Sequence, residues 1–109
     1  MSMEMTIKVP AVQVPVRAEN EAAKDYEQRL MVVCSWLDEM GAVGIDFKLK
    51  GSHVAVNFIE FYILPGEDDW LEGGEDEIRF GAAEGKWIVF ITPRTALVLT
   101  PEQWAAISV

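Results

Sequence analysis

The sequence predicts an α+β domain: an antiparallel sheet of five or six strands, mostly a meander, with one long N-terminal helix packed on a face and a short C-terminal helix. Three observations carry that reading. Residues 20–40 repeat apolar side chains at helical spacing. Most segments after residue 45 are β-branched or aromatic runs bounded by turn residues. Thr100-Pro101-Glu102-Gln103 has the form of a helix start. With 109 residues, half of them apolar or aromatic, residues 1–109 read as a single compact domain able to bury one core.

Thr6 to Val16 reads as extended chain. Ile7, Val9, Val12, Val14 and Val16 are β-branched, while Pro10 and Pro15 forbid helix and suit an edge or interrupted strand. The helix follows from Asn20 to Met40, with Asn20 as its cap and Glu21 at the positive end of its dipole. Ala23, Tyr26, Leu30, Val33, Leu37 and Met40 recur at steps of three and four, which places them on one face. Lys24, Glu27, Gln28, Asp38 and Glu39 fall largely on the other side. Gly41 stands where a left-handed residue ends a helix.

Gly51-Ser52 reads as a two-residue hairpin turn. Folding there sets Leu49 opposite Val54, Phe47 opposite Val56 and Ile45 opposite Phe58, so that apolar meets apolar while Asp46, Lys48 and Lys50 point away. The second strand runs on to Leu64 with both faces apolar, as expected of a central strand covered on both sides. Glu77 to Phe80 is a short strand, Gly81 to Lys86 a turn, Trp87 to Thr92 a strand, and Ala96 to Leu99 its return after Pro93-Arg94. Thr100 then caps a short helix, with Pro101 at its first position and Gln103 closing the capping box. Trp104 and Ile107 are available to close the core.

Nine basic residues against eighteen acidic ones give a net charge of −9. Such a domain is repelled by phosphate backbones and anionic lipids, so direct nucleic-acid binding and membrane attachment are disfavoured and a basic protein partner is favoured. Solubility alone also accounts for excess charge. No apolar run reaches the roughly 20 residues of a membrane span, and the N-terminus lacks the pattern of a signal peptide. Cys34 is the only cysteine, which fits a reducing cytoplasm.

Little in the chain reads as catalysis. Cys34 lies mid-helix beside the apolar stripe, where a structural thiol is expected, and His53, the only histidine, sits beside a turn. Nucleophilic catalysis needs a nucleophile and a base within reach, and these two do not suggest one. Gly41-x-x-Gly44 and Gly81-x-x-x-Gly85 lack the remaining features of a phosphate cradle. The expectation is no enzyme, no cofactor and no metal.

One segment departs from a bland surface: Glu67, Asp68, Asp69, Trp70, Leu71, Glu72, Gly73, Gly74, Glu75, Asp76 and Glu77. Seven of its eleven residues are acidic and none is basic. It reads as a solvated connection or as a contact surface for a cationic partner; the ligand spacing of a calcium loop is missing. Trp70-Leu71 amid the acids favours the contact surface, as an aromatic anchor ringed by steering charge. The competing role for Trp70 is to fold back and plug a sheet edge. On this reading the partner-binding residues are Glu67, Asp68, Asp69, Trp70, Leu71, Glu72, Glu75, Asp76 and Glu77.

In small size, acidity, a helix laid on an antiparallel sheet and the ending Leu99-Thr100-Pro101-Glu102-Gln103-Trp104, the chain resembles small phage or mobile-element accessory proteins of the anti-CRISPR type. That resemblance implies a stoichiometric inhibitor, monomeric or homodimeric, in the host-cell cytoplasm, which masks a basic nucleic-acid-binding surface by charge mimicry. An immunity or antitoxin-type protein that neutralises a basic toxin obeys the same physics. A phage structural or assembly component, completing a neighbour's sheet with its strands, is a third class.

Overall fold

The computed structural model describes residues 9–64, 78–92 and 95–107. In chain order the elements are β1 (Ala11–Gln13), α1 (Ala23–Glu39), β2 (Val43–Lys48), β3 (Phe58–Ile63), β4 (Ile78–Ala83), β5 (Trp87–Thr92), β6 (Thr95–Leu99) and α2 (Pro101–Ile107). The class is α+β, as expected. The single meandering sheet is not found. The strands form two antiparallel sheets of three, ordered β1-β5-β6 and β2-β3-β4. The reason lies at β5. A meander would give one of its edges to β4, but β1 takes that edge, pairing Ala11 with Val89 and Gln13 with Trp87, while β6 takes the other. Val14 and Gly85 tie the same junction further, through Val14 N–H to Lys86 O and Gly85 N–H to Val14 O, each 2.8 Å.

The helical stripe is observed in its central part: Tyr26, Leu30, Val33 and Leu37 are buried. Its start is corrected. Asn20 does not cap; the helix opens at Ala23 after Ala22, with no side-chain cap, and Ala23 itself is exposed. Glu21 is engaged upstream instead, its carboxylate accepting the Ala18 N–H at 3.0 Å and pairing with Arg29 at 2.6 Å. The bend it closes occupies residues the helix would have used. At the other end Gly41 has φ +95°, the left-handed stop that was expected.

The hairpin register is also corrected. Phe47 stands opposite Ile59, not Val56, and Lys48 opposite Phe58, a displacement of three residues along the second strand. An odd displacement exchanges the faces of a strand. Ile59, Phe61 and Ile63 therefore point into the core, while Phe58, Glu60 and Tyr62 are half-exposed. β3 is central in its sheet, as expected, but covered on one face only. Burying three large side chains outweighs a tight turn, and residues 49–57 form a longer loop in which Val56 is exposed. Asn57 ends the ladder with its side chain: Oδ1 accepts the Lys50 N–H at 2.7 Å, and Nδ2 donates to Glu84 at 2.6 Å.

Within β2 the pairing shifts between Val43 and Asp46, at Gly44 with φ +60°. A glycine there makes the bulge possible, and a Cβ would meet the Tyr62 ring at 2.7 Å. β4 continues through residues expected to turn, as far as Ala83.

One core joins α1 to the inner faces of both sheets. Phe61 stacks on Phe80 at 5.1 Å and lies 6.3 Å from Phe90, which meets the Trp36 edge at 5.7 Å. The capping box of α2 is observed as expected: the Gln103 N–H donates to Thr100 Oγ1 at 3.1 Å, and the Thr100 N–H to Gln103 Oε1 at 2.8 Å. Trp104 stacks on Trp87 at 4.9 Å, but Ile107 is 62% exposed and closes no core. Among the described residues no helix is long and apolar enough to cross a membrane.

Candidate protein-binding site

Turned with Leu30, Val33 and Leu37 toward the core, α1 presents Met31, Cys34 and Asp38, each one step past a core residue, and Ser35 beside them along its flank. Opposite that flank stand Ile45, Asp46 and Phe47 of β2. The two elements enclose an open groove of ≈ 450 Å³, completed by Glu39 at the end of the helix. That volume lies within the range of small-ligand pockets, about 300–1,000 Å³. Its apolar part is Met31, Ile45 and Phe47, with Met31 57% exposed although its helix is docked. Its charged part is Asp38, Glu39 and Asp46. Among the described residues no Lys, Arg or His lines it.

Cys34 is half-buried in this groove, and its thiol is held above the ordinary range by burial first and by the Asp46 carboxylate second. Both effects disfavour the thiolate, the reverse of what activates a cysteine nucleophile. His53 is exposed in the β2–β3 loop and does not line the groove with Cys34. Among the described residues no three His, Cys, Asp or Glu side chains are grouped to hold a metal ion.

A second polar cluster lies at the junction of α1 with the two loops. Tyr26 donates its hydroxyl to Pro15 O at 2.7 Å, and the Glu84 carboxylate lies 3.5 Å from the Tyr26 hydroxyl oxygen. Burial, and next the Glu84 charge, push the Tyr26 phenol up to about 12. With the Asn57 bond to Glu84, these groups latch the start of α1 to the β2–β3 loop and the β4–β5 turn. No buried side-chain nitrogen or oxygen of the described residues lacks a partner. The cluster is satisfied internally and serves the fold.

The partner-binding residues read from sequence, Glu67, Asp68, Asp69, Trp70, Leu71, Glu72, Glu75, Asp76 and Glu77, lie outside the described residues. The groove was not anticipated. Asp38, Glu39 and Asp46 read as solvated positions, and nothing local says that a helix flank and a strand will face each other. The one signal available was Met31-Val32, two apolar residues off the core stripe, which are 57% and 70% exposed. Comparison with protein-family models, with curated proteins and with solved structures finds no match.

Proposed function

We propose that this chain is a non-catalytic protein-binding domain that engages a basic partner and inhibits it by covering a surface otherwise open to nucleic acid. The observation that carries the reading is the bordering of apolar side chains by three carboxylates, with no cation among the described lining residues: Asp38, Glu39 and Asp46 around Met31, Ile45 and Phe47. An apolar patch supplies residence and the acids supply steering, the division of labour found at protein interfaces. The acidic segment 67–77 repeats the combination in its sequence, with Trp70-Leu71 among seven carboxylates. The overall charge of −9 draws a cationic surface and repels phosphate. The partner in this proposal is a nucleic-acid-binding complex of a host or of a defence system, in keeping with the anti-CRISPR-type resemblance, and the site of action is the host cytoplasm.

The test is capture of partners from a lysate on the immobilised chain, followed by elution with duplex DNA. A basic partner released by DNA, with an affinity that falls as salt rises, is the expected result. A partner whose binding ignores both salt and DNA would end the charge-mimicry reading.

A further inference from the structure

The groove beside α1 is lined by three consecutive residues of β2. Successive side chains of a strand point to opposite faces, so Ile45, Asp46 and Phe47 share one groove only where it follows the strand's edge, main chain included. β2 ends the order β2-β3-β4, so its other edge pairs with no strand among the described residues. The Phe47 N–H marks the direction of that edge. It donates to the carboxylate Oδ1 of Asp46 at 2.8 Å, although Phe47 is registered with Ile59 across the ladder. In an antiparallel ladder the N–H and C=O of one residue point the same way. The main chain at Phe47 is thus aimed into the groove, and the Asp46 carboxylate holds the position that a neighbouring strand's carbonyl would take.

We propose that this groove takes an extended, lysine- or arginine-bearing segment of a partner protein, added to β2 as a fourth strand of its sheet. The inference rests on the protein-binding reading above and gives it a site and a mode. Charge selects the occupant. Alternate side chains of an added strand fall on two faces: those turned toward α1 meet Met31, Phe47, Asp38 and Glu39, and those on the other face meet Asp46, so cations suit both faces and an apolar residue suits the place beside Met31. A second copy of this chain, pairing β2 with β2, would bring the carboxylates at Asp46 together and is disfavoured.

The experiment titrates the isotope-labelled full chain with an acetylated hexapeptide of alternating valine and lysine, followed by amide NMR. Three comparators are alternating valine and glutamate, the valine-lysine peptide N-methylated at alternate residues, and a leucine-lysine peptide that forms an amphipathic helix. The expected result is shifts centred on the Ile45 and Phe47 amides, with Phe47 exchange slowed about tenfold. N-methylation, which removes strand hydrogen bonds, should weaken binding about tenfold. The double variant Asp38→Asn with Glu39→Gln should weaken it about fivefold and flatten its salt dependence. The proposal is overturned by no shift at millimolar peptide, by shifts centred elsewhere, or by equal binding of the glutamate, N-methylated or helical peptide. Concentration-dependent self-association that shifts these same amides would assign the edge to a second copy instead. Partner capture that persists when the peptide fails would remove the groove and leave the protein-binding reading standing; loss of both would end both.

Discussion

A buried phenol must find an acceptor, and Tyr26 finds Pro15 O at 2.7 Å. Tyr26→Phe should therefore cost about 1 kcal/mol in urea unfolding at neutral pH. Its pH dependence has a definite sign. The folded phenol is raised to about 12 from an ordinary 10.0, so the folded state favours the protonated form. That contribution is complete below the unfolded value and is lost as pH rises from there through the folded one. The wild type should lose stability across this alkaline window, and Tyr26→Phe should lose less. Parallel slopes for the two proteins would contradict the assignment. Gly44 is the other residue on which local geometry depends. Gly44→Ala meets both the left-handed φ of +60° and the Tyr62 ring at 2.7 Å, and should cost about 2 kcal/mol or more in thermal unfolding. Adding Tyr62→Ala should relieve the collision but leave the backbone strain.

Elements whose signals are local were legible, and elements that depend on distant partners were not. Tyr26, Leu30, Val33 and Leu37 mark α1 because helical periodicity needs no knowledge of what covers it. Thr100 and Gln103 mark α2 because a capping box is closed within four residues. The β2–β3 register failed for the opposite reason. Gly51-Ser52 is a good turn and Val54-Val56 a plausible strand, yet Ile59, Phe61 and Ile63 won the inner face by burial in one core with residues of α1 and β5, which lie far along the chain. Asn57 holds the resulting register by occupying the end of the ladder. Asn57→Ala should cost about 2 kcal/mol by leaving the Lys50 N–H and the Glu84 carboxylate short of a partner. Cross-strand NMR contacts between Phe47 and Ile59 should survive it, because the core, not the loop, selects the pairing. A change to contacts between Phe47 and Val56 would show that the loop decides.

For the molecule as a whole, the two sheets share one core, and in each the central strand is better protected than its edges. β5 is paired on both edges by β1 and β6, and β3 by β2 and β4. Hydrogen exchange should rank the amides of Ile88, Phe90 and Phe61 among the slowest, with the outward amide of Phe47 far faster. Equal protection of β2 and β5 would mean that β2 is covered on its far side in the free protein. Of the candidate site, only Met31-Val32, two apolar residues off the core stripe, left a local signal; the acidic, Trp-containing segment read from sequence lies outside the described residues. The meeting of a helix flank with a strand edge is a property of assembled elements, which no single stretch of sequence specifies.

The stacked indoles of Trp87 and Trp104 lie 4.9 Å apart with an angle of 19° between their planes, one on β5 and the other on α2. Two identical chromophores this close couple their excited states, so the chain carries an intrinsic optical gauge of whether its last helix is seated. Lifting α2 from the sheet would abolish the coupled signal in circular dichroism before the core had lost any of its own. Undocking of the C-terminal segment, alone or on meeting a partner, can thus be timed without attaching a label.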